Sequence, residues 1–496
     1  MAIIKINEIN KTTKLTTPND TMPIIALIGP ATYGPLNTPT ELYNVDDFNN
    51  TFGSTLCKTY PYAAIAAKRY LAAQGTVLFT RIGKEPSTAS YTVDNLISIS
   101  ANSPGTFGNN IKISVDPILL GGVNRLKVST YIENILVDFQ TFIITELKDM
   151  GSITLDYVTV TALEGLSGDS VVTAVEPTSL TGGSDGDVLF TEPEKYQDEY
   201  NSLLQTLDPI VGQLCDSQLY EFAIIAMPGI CGLKNMEANI SNLEHGESVI
   251  KQLVALTEAR KDCVAVVDPL VDSSYNNVLT DLMMDSISSN YMAIFYPWYD
   301  GYISEVSATL LLPPSVFYID ACATSFGLNK PWNAVAGPLT GKCTNCINTL
   351  IKIGSDASRS LNNMFINPIV YNRNFGYYID GNNVLNGLAN TRTYSQLGIR
   401  HGINYAKREL TKLCHIMSYK QNSSLVRSEV LGRVSKLLEG LKAGEAIYGY
   451  RAYINESAQD MANGIIKLTV KIYPTPALEE FVFDFEIVNS ESALNE

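Results

Sequence analysis

Short apolar strands alternate with helical runs on both sides of a block, residues 95–187, that has no helical period. That interruption limits the possible folds more than any other feature of the chain. Pro23–Gly29 and Val77–Ile82 read as buried strands flanking a helix over Tyr60–Ala73, and a helix N-cap is expected at Asn44 or Asp46. Beyond the block, Glu192–Leu207 and Glu247–Lys261 read as helices, and Glu221–Met227, Cys263–Val267 and Tyr291–Tyr296 as strands. Such alternation builds a largely parallel sheet covered by helices. Inside the block, Ile111–Val115, Arg125–Thr130, Ile135–Thr145 and Ser152–Thr161 are strand-like runs separated by Gly, Asn and Asp, and Thr181–Gly186 closes it as a linker. At 496 residues the chain exceeds one core. The expected architecture is an α/β and α+β multidomain chain: a mixed or parallel α/β core (22–94 plus 188–345), an inserted all-β domain (95–187), and a C-terminal α+β domain (346–478). The last is expected to hold strands Ile366–Val370, Gly376–Ile379 and Ile465–Tyr473 and helices Leu397–Tyr419 and Ser424–Lys442.

The two ends read as extended arms, residues 1–21 and 479–496. Over 480–488, Phe481, Phe483, Phe485 and Ile487 share one face at period two, and Ile3, Ile4 and Ile6 open the chain ahead of a polar Thr/Lys/Asn tether. Each can close a sheet of its own chain or add to the sheet edge of a neighbour, where backbone hydrogen bonds supply affinity. Pro474-Thr475-Pro476 makes a stiff, extended connector before the last strand rather than a tight hairpin turn.

Charged residues make up 17% of the chain, below the usual ~25%, and Asn, Ser, Thr and 27 Tyr take their place. Surfaces of that kind suit burial against protein partners. A net charge of −16 opposes binding to nucleic acid or an anionic membrane. With no charged-then-apolar leader and no apolar run near the length of a membrane span, neither export nor membrane insertion is expected. Against the overall charge, Gly398–Lys442 holds nine basic and three acidic residues, a local excess of +6. This is either a solvated helix face or a docking surface for an acidic partner.

Catalytic chemistry is sparse. Gly337-Pro338-Leu339-Thr340-Gly341-Lys342-Cys343 has one residue too few for a phosphate loop, and Cys where a hydroxyl must reach magnesium. Cys343 and Cys346 lack a second ligand pair for zinc and read as buried thiols one helical turn apart. The three histidines, His245, His401 and His415, stand outside any H-E-x-x-H arrangement. No metal, cofactor or catalytic residue is therefore expected, although a carboxylate-only hydrolase on an α/β scaffold, or a virion decoration protein, stays open as an alternative.

Six segments, taken in order, resemble one family, the tail sheath proteins of contractile bacteriophage tails and related injection systems. They are Ile28-Gly29-Pro30 through Phe52-Gly53, Ser103–Asn109, Gly182–Gly186, Pro313-Pro314-Ser315 with Pro331–Gly337, Leu361–Asn367 and Pro476–Val482. Phe107 stands where Trp is common, and Ile399-Arg400-His401 weakens a double-arginine stretch. The resemblance implies a non-enzymatic subunit of the virion tail, assembled in the host bacterial cytoplasm as six-fold rings stacked into a helical sheath. That sheath surrounds an inner tail tube, meets baseplate and tail-terminator proteins, and contracts to drive the tube through the target envelope. It also implies that the terminal arms donate strands to neighbouring subunits beside the C-terminal domain. Lys407, Arg408, Lys412, Arg433 and Lys436 then become candidates to face the tube.

Overall fold

The structure, a computed structural model, describes residues 22–58, 60–186, 196–229, 249–271, 273–281, 289–326, 330–385 and 395–479. Its centre is an eight-stranded sheet in the order Gly376–Ile379, Asn367–Asn372, Met292–Tyr296, Val264–Val267, Ile224–Ala226, Ile25–Gly29, Val77–Arg81, Thr40–Leu42. The six inner strands run parallel and the two outermost antiparallel to their neighbours. Strands such as Ile25–Gly29 and Met292–Tyr296 are buried along their whole length because helices cover both faces. Ile25 and Leu27 meet helices Tyr62–Ala72 and Pro314–Phe326, and Ala26 and Ile28 meet Tyr196–Leu214 and Val249–Arg260. The first short helix, Val45–Phe52, is capped by Asn44, whose side chain accepts from the Asp47 N–H.

Three features depart from the pattern expected of the sequence. Asn367–Asn372 and Gly376–Ile379 belong to the central sheet, so the core extends past residue 346; Phe295 and Asn367 are in register there. Helix Tyr196–Leu214 runs through Pro209. Leu203, Leu207, Ile210 and Leu214 recur at helical spacing and are buried, which outweighs the hydrogen bond the proline removes. Ser90–Val93 pairs with Ile97–Ala101, so the β unit begins before residue 95.

The β unit packs two four-stranded antiparallel sheets around its own core, which includes Ile99, Val128 and Phe142. One sheet runs Ser90–Val93, Ile97–Ala101, Val158–Ala162, Ser152–Thr154, and the other Val175–Ser179, Ile111–Leu120, Val123–Ile132, Ile135–Ile143. At the other end of the chain, helices Leu397–Met417 and Ser424–Ala443 pack on a two-stranded sheet, Ile447–Ile454 with Leu468–Pro474, around a separate cluster that includes Val434 and Leu438.

Candidate functional site

The two-stranded sheet has one face on the C-terminal helices and no partner strand at either outer edge among the described residues. Tyr450 Oη donates to Ser435 O at 3.1 Å, fixing the sheet to helix Ser424–Ala443. Tyr448 and Tyr473 stand outside as a tilted pair 5.3 Å apart. Strand Ile447–Ile454 is not among the strands expected from the sequence, though Ile-Tyr-Gly-Tyr-Arg-Ala-Tyr-Ile is rich in β-branched and aromatic residues. From its partner strand, Pro474-Thr475-Pro476-Ala477 crosses a cleft of about 570 Å³ lined by Trp332, Gln396, Gly402 and Ala406. Buried Gln396 clasps the connector there. Its Oε1 accepts from the Ala477 N–H at 3.0 Å, and its Nε2 donates to Glu479 Oε1 at 2.8 Å. The chain beyond residue 479 therefore leaves from a fixed point. The arm residues Ile3, Ile4, Ile6, Phe481, Phe483, Phe485 and Ile487 themselves lie outside the described residues.

The basic residues divide into two groups. Helix Leu397–Met417 lies across the entrances to three neighbouring core strands, and its basic side chains seal that seam. Lys407 Nζ donates to Lys261 O at 2.8 Å and to Tyr291 Oη at 3.1 Å. Arg408 is buried against Asp262 O, with Glu221 beyond it at 3.9 Å, and Lys412 pairs with Glu221 at 2.8 Å. These three are engaged within the chain, so the free basic face is narrower than the local charge suggests. On helix Ser424–Ala443, Arg433 is half exposed and paired with Glu429 at 2.8 Å. Lys436 is exposed with no ion-pair partner among the described residues.

Several of the segments singled out in the sequence converge on the joints between units. Arg81, fully buried at the end of its strand, donates from Nη1 to Gly34 O at 2.8 Å and Pro104 O at 2.7 Å. Phe107 packs edge-on against Tyr33, 5.5 Å away. Asn109 brackets Gly183, donating to its carbonyl and accepting from its N–H, while Asp185 accepts from the Thr106 N–H and hydroxyl. Gly105 sits at φ 139°, where a Cβ would lie 2.0 Å from Thr32 O, so only glycine lets the loop press against the core. A second joint is built on Trp332. Its indole N–H donates to Gly444 O at 2.9 Å, and its ring covers Gly444 and its Cβ Gly402, positions where any side chain would collide.

No protein-family model matches the chain. It is 23% identical over 227 residues to the tail sheath protein of Enterobacteria phage T4, a match covering 42% of this chain and 34% of that protein, so the chain spans about a third of the length of the curated relative it matches. Similar solved structures cover nearly all of it. A sheath tail protein of Desulfitobacterium hafniense aligns with TM-score 0.59 and 13% identity, covering 92% of this chain and 94% of that one. A sheath tail protein of Listeria innocua aligns with TM-score 0.58 and 13% identity over 91% and 95%. A chain of the anti-feeding prophage baseplate in contracted state gives TM-score 0.59 and 15% identity over 99% and 100%. The fold is that of tail sheath proteins. The family likeness read from the six motifs is borne out at this level.

Within this sheath fold the chemically suggestive groups have structural duties. Asp268 is the buried carboxylate most like an acid catalyst, because burial pushes it up to about 6. Its oxygens accept from the Gly229 N–H, the Ser315 N–H and the Ser315 hydroxyl at 2.8–2.9 Å, tying two loops to the start of helix Pro314–Phe326. In the loop resembling a phosphate site, Thr340 Oγ1 turns back to Ala334 O and Ala336 O. Cys343 and Cys346 do not share a helix: Cys343 is buried in a loop, and Cys346 opens the strand Cys346–Thr349. Burial pushes both thiols up, Cys346 to about 12. Among the described residues there is no group of three or more His, Cys, Asp or Glu able to hold a metal ion, and no helix long and apolar enough to cross a membrane.

Proposed function

We propose that this chain is a structural, non-catalytic subunit of a contractile sheath. Copies polymerise as six-fold rings stacked helically around an inner tube and contract to drive that tube through a target envelope. The observation that carries this reading is the two-stranded sheet Ile447–Ile454/Leu468–Pro474, with no partner strand at either edge among the described residues, beside a connector that Gln396 holds. A neighbour's N-terminal strand (Ile3, Ile4, Ile6) and another's C-terminal strand (Phe481, Phe483, Phe485, Ile487) complete that sheet. Each backbone hydrogen bond so formed contributes about 0.5–1.5 kcal/mol net, added to the burial of the phenylalanine face. Such a joint holds while softer contacts between units exchange. A contact between two different surfaces of one chain also propagates rather than closes.

On the tube side, Arg433 and Lys436 are the basic residues left to meet an acidic partner; Lys407, Arg408 and Lys412 hold the sheath unit together. Baseplate and terminator proteins cap the polymer, which places the chain in a virion tail or injection apparatus assembled in the host cytoplasm. Negative-stain microscopy of the purified chain should show tubes or rings, and removal of residues 480–496 should leave a soluble, folded protein that no longer polymerises. Tubes that persist without those residues, or an intact chain that stays monomeric at every concentration, would refute the proposal.

A further inference from the structure

The two-stranded sheet Ile447–Ile454/Leu468–Pro474 has two unlike faces. Tyr450, Ala452, Val470 and Ile472 turn in and pack on the C-terminal helices. On the opposite face Arg451 and Lys471 stand directly across from each other, both exposed. Like charges at facing positions of an antiparallel pair destabilise it. Neither cation has an ion-pair partner among the described residues; Arg451 lies over the Tyr453 ring, 5.4 Å from its centroid. Lys467, just ahead of the strand, has by contrast its own carboxylate, Asp460, at 2.7 Å. The fold leaves Arg451 and Lys471 repelling each other and unanswered.

The sequence supplies the answering charges. Residues 480–488 alternate, so a strand that turns Phe481, Phe483 and Phe485 onto the helices presents Asp484 and Glu486 on the outer face. Neighbouring strands lie about 4.8 Å apart, so a third strand on either edge brings that face within one strand of one cation and two of the other. The N-terminal arm cannot do this: with Ile4 and Ile6 turned in, its outer face carries Lys5. The connector also opposes a return by the same copy's tail. The Thr475 N–H donates to Ala446 O at 3.1 Å, carrying the ladder past the strand end, and Gln396 then holds Ala477 and Glu479. With Pro474 and Pro476 beside them, these contacts resist the reversal that would lay residues 480–488 against their own strand Leu468–Pro474.

We propose that this face is an ionic latch selecting the C-terminal strand of a second copy, which adds to the sheet edge with its phenylalanines inward and Asp484 and Glu486 outward against Arg451 and Lys471. Backbone hydrogen bonds hold any extended segment at an unpaired edge. The four charges decide which arm binds and which of its faces turns in. A strand slipped by one residue would bury both carboxylates under the sheet and leave the phenylalanines in water. That the strand comes from a second copy rests on the sheath reading; the repelling cations do not.

Peptide binding to the full-length chain tests this, at a dilution where the chain stays unpolymerised. The probe is a fluorescent peptide of residues 479–489, read by anisotropy. It should bind the parent and bind roughly tenfold more weakly to the Arg451→Glu/Lys471→Glu chain, while a peptide carrying Asp484→Lys and Glu486→Lys shows the opposite preference. Both chain substitutions lie on the exposed face and replace one like-charged pair by another, so the variant should fold as the parent does. A peptide with Phe483 and Asp484 exchanged, and Phe485 and Glu486 exchanged, keeps composition and charge but mixes the faces, and should not bind. Equal binding of the three peptides overturns charge selection, and failure of the parent peptide to bind overturns the latch. Microscopy at higher concentration separates this result from the sheath reading. Tubes from a chain that ignores peptide charge sink only the latch, whereas charge-selective binding by a chain that never forms tubes or rings sinks only the sheath.

Discussion

His401, one of three histidines in the chain, is spent on packing. It is buried on the inner face of helix Leu397–Met417, its Nε2 is 2.8 Å from Tyr318 Oη, and Phe326 lies edge-on to its ring. Burial, reinforced by the nearby charges of Arg408 and Arg400, holds it down to about 3 from an ordinary 6.5. The folded state thus keeps a neutral imidazole where the unfolded chain would take up a proton. Stability from this site is complete above pH 6.5 and is lost as pH falls toward 3, on the order of 2 kcal/mol by about pH 5. Thermal melts between these pH values should show His401→Gln, which keeps a partner for Tyr318, declining less steeply than the parent; equal slopes would remove His401 as a cause. Sequence could find this histidine but not its surroundings, since Tyr318 is 83 residues away and on a helix that the apolar run 314–326 did not announce. For Gly105 the reverse holds. The motif marked the position, and only the structure shows Thr32 O pressing on it.

At the scale of elements, helices and strands with clean periodicity were legible. Leu397–Met417 and Ser424–Ala443 fall within two residues of the expected bounds because alternating polar and apolar faces and the Ser423 cap mark them. Which sheet a short buried strand joins was not legible. Asn367–Asn372 carries no trace of its pairing with Met292–Tyr296, because its short apolar run, Pro368–Val370, fits any central slot. The basic run 398–442 was legible as charge but not as direction. A helix face sealed against three strand entrances and a face open to solvent have the same composition. Arg408 separates the two cases. Removing a buried charge that is hydrogen-bonded to Asp262 O leaves its partners stranded, so Arg408→Ala should cost about 3 kcal/mol and raise amide exchange along Leu397–Met417. Lys436→Glu, on the exposed face, should stay within about 0.5 kcal/mol. If both variants exchange like the parent, the seam is not what holds this helix.

The described molecule is three units joined at two places, and the segments around Gly29–Gly53, Ser103–Asn109, Gly182–Gly186 and Pro331–Gly337 meet at the joints. The β unit enters and leaves through adjacent strands: Ser87 and Ser184 exchange backbone hydrogen bonds at 3.0 and 3.1 Å, so the insertion hangs from a narrow neck. Beyond that neck it is attached through Arg81, whose guanidinium reaches both Gly34 O in the core and Pro104 O in the insertion, through Phe107 against Tyr33, and through hydrogen bonds from the Tyr33 hydroxyl to Tyr157 O and from the Phe107 N–H to Thr32 O. The C-terminal unit is held more broadly, through Trp332, Gln396 and the basic seam. An attachment that depends on few groups should release first. Calorimetry of the intact chain, under conditions where it stays unpolymerised, should resolve the β unit as its own transition rather than melt the molecule in one step. Arg81→Met keeps the buried aliphatic bulk and removes both bridging hydrogen bonds, so it should move the two transitions further apart while leaving circular dichroism at low temperature unchanged. A single cooperative transition in the parent would mean that the neck transmits stability between the two units. The β unit would then be a rigid limb of the core and would move with the central sheet.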